Sequence, residues 1–247
     1  MTVALVGLGA LAAACVQATI GMGFALVLTP VAFALLSPAA AIVAVTALGL
    51  ELNLLVLLAE RRHPRIAWRE VVPILLAAAP GTVCGVLVLG ALPKPALQIV
   101  VGVALIAAAT LLLCGPARAA GRRPRPPGAR LAVGFTTGVL STATGVSGPP
   151  VALWLARERL EPGEVRDTLS ALFLAVGLVG LASLAPMFGR THLGAGLLGA
   201  GLACVAAGHA LGSRAFARLE ASRFRPLLLA VITLAGVASV AAGAGGL

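Results

Sequence analysis

Charged side chains are scarce in this sequence: 11% of its 247 residues, against 60% that are apolar. A soluble domain devotes roughly a quarter of its residues to charge, so this chain cannot clothe itself in a water-facing surface. Cysteine is scarce too. Cys15, Cys84, Cys114 and Cys204 stand apart in apolar stretches, with no C-x-x-C spacing and no histidine pair nearby. That excludes a disulfide framework and speaks against a metal centre or cofactor site; the four are expected to be small packing residues. No basic residue precedes the first apolar run, so a cleaved leader is not expected.

Long apolar runs are what the sequence does have, at about 3–36, 39–59, 70–91, 96–114, 131–156, 165–186, 193–212 and 226–244. A hydrocarbon core of about 30 Å takes roughly 20 helical residues. The expected class is therefore an all-α integral membrane protein. A net charge of +10 would suggest nucleic acid in a soluble protein. Here the arginines lie in short loops, where they set topology and meet anionic headgroups. The bilayer is the expected partner, and nucleic acid is not.

The first and fifth runs are different. As one helix, 3–36 would be about 50 Å long, and both runs are interrupted by polar and glycine residues: Gln17-Ala-Thr-Ile-Gly-Met-Gly23 and Ser141-Thr-Ala-Thr-Gly-Val-Ser-Gly-Pro-Pro150. Either all eight runs span, or these two are re-entrant hairpins returning to the side they entered. Cytoplasmic loops carry the excess of Lys and Arg. Eight spans divide the 18 Lys and Arg residues 10 to 8; the hairpin scheme divides them 16 to 2, leaving only Lys94 and Arg190 outside. Hairpins are favoured. Trp68 and Trp154 then each sit beside a cytoplasmic arginine cluster, where an amphipathic ring prefers the interface, and both termini lie outside.

The chain also matches itself. Residues 9–35 lie over 134–160 without a gap, pairing Gly9 with Gly134, Gln17 with Thr142, Thr19 with Thr144 and Gly23 with Gly148. Further on, Pro38 meets Pro162 and Gly81-x-x-x-Gly85 meets Gly208-x-x-x-Gly212. An ordered set of matches at a near-constant offset marks an internal repeat. Each unit is a re-entrant helical hairpin plus three transmembrane helices. Three crossings invert the second unit, the arrangement of many secondary transporters. The units are 1–114 and 131–247, joined by a basic cytoplasmic linker at 115–130.

Non-helical backbone at mid-membrane must be buried in protein or line a cavity, so the two breaks mark the expected site. A half-helix starting near Gly23 or Gly148 aims free N–H groups and the positive end of its dipole at mid-depth. Two such ends can hold an anion without a buried lysine. The amide of Gln17 and the hydroxyls of Thr19, Ser141, Thr142, Thr144 and Ser147 add neutral donors. Gly21, Gly23, Gly145 and Gly148 let backbone approach a ligand. Turn-forming and packing roles would account for the same residues one hairpin at a time; the pair together favours an anion site. Glu51, Asn53 and His209 are polar within spans, and Glu51 and His209 are candidates to carry a coupling proton, although helix packing accounts for them equally.

The first tip with its following proline (GMGFALVLTP), the second (GVLSTATGVSGPPV), the turn at Ser37-Pro38 and the later PGTVCG together resemble the TauE/SafE sulfite exporter family over essentially the whole chain. The resemblance implies a carrier in a prokaryotic inner membrane for a small sulfur-containing anion, sulfite or an organosulfonate, driven by an ion gradient. A homodimer is left open. A membrane-embedded enzyme such as a lipid-carrier phosphatase would need carboxylates and an arginine near the tips, and neither tip contains Asp, Glu, Arg, Lys or His. No catalytic residue is expected. A passive anion channel remains the other alternative.

Overall fold

A computed structural model describes residues 1–20, 22–59, 63–114, 128–155, 158, 160–191, 193–216, 233–234 and 236–246. Every regular element among them is helical: α1 (Thr2–Ile20), α2 (Phe24–Leu35), α3 (Pro38–Ala59), α4 (Trp68–Ala91), α5 (Lys94–Cys114), α6 (Ala129–Thr144), α7 (Gly148–Leu155), α8 (Pro162–Leu184) and α9 (Ala195–Phe216). The tail of α8 tightens into a 3₁₀ turn over Ala185–Arg190. Among the described residues, α3, α4, α8 and α9 contain spans long and apolar enough to cross a membrane. Their outward faces carry bare apolar side chains, among them Leu58, Leu76, Leu87, Leu178 and Leu211. In water such a surface would aggregate; in lipid it is simply solvated. The protein is an all-helical integral membrane protein. The linker expected at 115–130 lies outside the described residues except for its last three positions, and so do positions 226–232 and 235 of the run at 226–244. Residues 236–244 are helical and lie on α5, where Ser239 Oγ donates to the Gln98 carbonyl at 2.8 Å.

Both long interrupted runs break where the sequence places glycine. α2 begins after Gly23, whose φ of 123° is a backbone conformation only glycine adopts readily. α6 ends at Gly145 with φ 75°, its N–H donating to the Ser141 carbonyl, the usual left-handed close of a helix. α1 and α6 end at Ile20 and Thr144, α2 and α7 begin at Phe24 and Gly148, and α3 and α8 begin at Pro38 and Pro162. Each pair is 124 positions apart. The ungapped overlay of 9–35 on 134–160 is thus one residue out of step with the helix boundaries, whereas Pro38 over Pro162 agrees with them.

Among the described residues α1 packs most extensively on α9 and α4 on α6, and glycine makes both contacts close. A Cβ at Gly81 would strike the Phe135 carbonyl, and one at Gly138 the Ala78 carbonyl. On the other pair, a Cβ at Gly208 would strike the Leu11 carbonyl, and Gly212 sits 2.6 Å from the Cys15 carbonyl by the same measure. Small residues let backbones come this close in a membrane, where lipid offers no competing hydrophobic drive. The two glycine pairs seen in the sequence therefore contact helices from the opposite half of the chain.

At one end of the bundle a buried carboxylate ties three helices together. Glu70, 2% exposed at the start of α4, accepts from Trp154 Nε1 at 2.8 Å and lies 3.2 Å from Arg130 Nε. The Arg130 guanidinium also stands 5.7 Å above the Trp154 ring. Trp154 is 9% exposed and Trp68 60%, so only Trp68 is a free surface ring; the indole of Trp154 is committed to Glu70. Beside this cluster the extended segment 63–67 is clamped to α8: Arg65 N–H donates to Asp167 Oδ2 at 2.8 Å and Ala67 N–H to Thr168 Oγ1 at 3.0 Å. Removing Glu70 leaves the buried Trp154 N–H without its acceptor, at a cost of about 1–3 kcal/mol, while the half-exposed Arg130 can turn to the surface. Glu70→Ala is accordingly expected to lower the melting temperature in detergent by several degrees, and Glu70→Gln, which keeps an acceptor for Trp154, by clearly less.

Candidate functional site

The two helix breaks, more than a hundred residues apart in sequence, line one cavity of about 70 Å³. A single water needs at least about 10–15 Å³ by the same measure, so the space suits a few waters or one small oxyanion. α3 supplies a third wall through Val45, Thr46, Gly49, Leu50 and Asn53, and α8 a fourth through Phe173 and Gly177. Among the described residues no wall side chain is titratable.

Of the residues expected at the site, Gln17, Gly23, Ser141, Gly145, Ser147 and Gly148 line the cavity. Thr142 and Thr144 do not. The Thr142 hydroxyl donates to the Thr82 carbonyl at 2.7 Å, tying α6 to α4. The Thr144 hydroxyl donates to the Leu140 carbonyl at 2.8 Å and accepts from Val146 N–H at 3.2 Å, bracing the tip from inside. Gly21 and the side chain of Thr19 lie outside the described residues. Glu51 sits half-buried in α3, away from the cavity wall, with Oε2 lacking a hydrogen-bond partner. His209 is buried in α9, also off the wall.

Four wall residues are joined by a chain of three hydrogen bonds. Phe24 N–H, the first of α2, donates to Gln17 Oε1 at 3.2 Å. Gln17 Nε2 donates to Asn53 Oδ1 at 3.1 Å, and Asn53 Nδ2 donates to the Gly49 carbonyl at 2.7 Å. Gln17 and Asn53 are 4% and 6% exposed. Asn53 was visible in the sequence only as a polar residue inside a span; its position four residues after Gly49 on one helix face is what aims it at Gln17.

The two helix starts at the breaks are not equivalent. An α-helix leaves its first N–H groups without intrahelical acceptors. At α7 two of these are missing, because Pro149 and Pro150 have no N–H, and the ring of Phe173 closes to 3.7 Å of a Cβ built on Gly148. At α2 the N–H groups of Ala25 and Leu26 both belong to wall residues. The α2 end is the richer in donors.

No solved structure matches the chain. A probable sulfite/organosulfonate exporter TauE of Cupriavidus necator is 30% identical over 167 residues, 66% of this chain. The match spans 64% of that relative's own length, a little less than two thirds. The family model for the sulfite exporter TauE/SafE covers residues 5–239, including both helix breaks and every wall of the cavity. The chain belongs to the TauE/SafE sulfite exporter family.

Proposed function

We propose that this chain is a secondary transporter of a small sulfur-containing anion, sulfite or an organosulfonate, and not an enzyme. The observation that carries the reading is the cavity: breaks in opposite halves of the chain share it, its wall is free of titratable side chains among the described residues, and its volume suits a small oxyanion. The relative from Cupriavidus necator, named for sulfite and organosulfonates, supports the substrate class. In this reading the halves are inverted repeats, each a re-entrant hairpin with three spans, in a bacterial inner membrane with both termini outside. The anion rests at mid-depth against the half-helix ends. Access alternates between the two sides, coupled to an ion gradient through Glu51 or His209.

Reconstituted protein should carry sulfite or sulfoacetate saturably, faster than sulfate or a carboxylate of similar size, at a rate that responds to an imposed pH gradient. Flux no greater than in empty vesicles defeats the proposal. Non-saturating flux indifferent to the gradient makes the protein a channel. For orientation, single cysteines in a background free of the native four provide the test. Pro93→Cys and Thr191→Cys should react with an impermeant thiol reagent from outside, and Arg122→Cys and Ala221→Cys only after permeabilisation. Reaction of Ala221→Cys from outside while Arg122→Cys stays protected rules out the inverted arrangement.

A further inference from the structure

The hydrogen-bond chain Phe24–Gln17–Asn53–Gly49 has a direction that cannot be reversed. It starts at a backbone N–H, which only donates, and ends at a backbone carbonyl, which only accepts. Between them each amide must present oxygen toward Phe24 and nitrogen toward Gly49, which settles two orientations that electron density rarely distinguishes. A primary amide carries two N–H bonds. Gln17 Nε2 and Asn53 Nδ2 each use one, so one donor on each is left unspent on a wall residue of the cavity. Were the chain reversed, the spare nitrogens would not face this way and the wall would favour a cation.

We propose that Gln17 and Asn53 determine the specificity of the site: their spare N–H groups, with the Ala25 and Leu26 N–H groups of α2, grip the sulfonyl oxygens. The proposal rests on the transport reading above and adds what that reading leaves open, namely where in the cavity the charge sits and which side chains select it. The charged head belongs at α2. Its substituent, a lone pair in sulfite or a carbon chain in a sulfonate, points to the apolar side at Pro149 and Phe173, where α7 has no donor on its second and third residues. Asn53, from a helix outside either hairpin, is thereby a binding residue, and Gln17 both binds and holds the α2 terminus in place.

The test is equilibrium binding of sulfite and of methanesulfonate to the full chain in detergent, by calorimetry. Methanesulfonate keeps one negative charge across the usable pH range, so pH acts on the protein alone. Asn53→Leu should bind at least tenfold more weakly, the loss expected for one hydrogen bond to a charged group. Gln17→Glu is the sharper variant. It still accepts from Phe24 N–H, so α2 keeps its cap, but as a carboxylate it has no donor and repels the ligand. Methanesulfonate binding by Gln17→Glu should be lost at pH 8 and partly regained at pH 5, where a protonated carboxyl donates to Asn53 again; a misfolded protein would regain nothing. If the unaltered chain binds while both variants bind within twofold of it, the assignment of Gln17 and Asn53 is overturned. If the unaltered chain binds neither anion, the transport reading itself fails.

Discussion

Valine at position 145 is expected to stop anion flux while the protein still inserts and purifies as a monodisperse species. Gly145 ends α6 with φ 75°, a region that costs an ordinary L-residue about 1–2 kcal/mol and a β-branched one more. Space compounds the strain. A Cβ there would stand 2.9 Å from Thr29 Oγ1, 3.4 Å from Val45 Cγ1 and 3.5 Å from Ile42 Cδ1. These neighbours belong to α2 and α3, the helices that carry the opposite wall, so relief must shift the cavity itself. Thr29 is fully buried, and its hydroxyl has no hydrogen-bond partner. The two positions should therefore be coupled. Gly145→Ala should lose most of the flux, and Thr29→Ala in the same chain should restore part of it by removing the closest atom, leaving only the backbone strain. Gly145→Asn, which tolerates the left-handed region, should fall between alanine and wild type. Valine flux equal to wild type would show that this tip takes no part in the pathway.

The sequence made the breaks legible because their cause is local. Glycine inside an apolar run ends or starts a helix readily, and Gly23 and Gly145 do so here. The family resemblance was legible because it is an ordered set of local motifs: the two breaks, the turn at Ser37-Pro38 and PGTVCG. The spacing between the two breaks was less so. In a chain with 30 glycines, an overlay one step out still collects matches, and only the helix ends at Ile20 and Thr144, with the starts at Phe24 and Gly148, fix the step. What depends on facing was hidden. Nothing near Glu70 in sequence shows that it is buried, since its partner Trp154 lies 84 positions away; by itself it looks like any acid at the start of a helix. Thr142 and Ser141 are neighbours of the same chemistry, yet one hydroxyl bonds to α4 and the other residue lines the cavity. The donor asymmetry between α2 and α7 was present in the sequence, because Pro149 and Pro150 announce their missing N–H groups.

Leucine at Gly138 or at Gly208 is expected to prevent the folded protein from accumulating, although the two lie in different helix pairs. At Gly138 a Cβ would collide with the Ala78 carbonyl and lie 2.9 Å from Thr82 N; at Gly208 it would collide with the Leu11 carbonyl and lie 3.0 Å from Ala14 Cβ. Most of these obstacles are backbone, which cannot turn aside as a side chain can, so the helices must part. Overpacking alone costs about 1–3 kcal/mol. Parting α4 from α6 also removes the Thr142–Thr82 hydrogen bond and pulls Arg130 from Glu70, two contacts that the α1–α9 pair does not share. Gly138→Leu should therefore be the more damaging of the two. Gly199 provides the control within α9: a Cβ there meets nothing within 4 Å, so Gly199→Leu only adds an apolar side chain to an open face and should leave yield and melting temperature unchanged. The measurement is the fraction of detergent-extracted protein that elutes as a single species, with its melting temperature. If Gly199→Leu proves as harmful as Gly208→Leu, general intolerance of bulk, and not the close approach to α1, is the cause. If Gly138→Leu folds normally, α4 and α6 do not pack at this distance, and the crossed pairing of helices between the two halves of the chain falls with it.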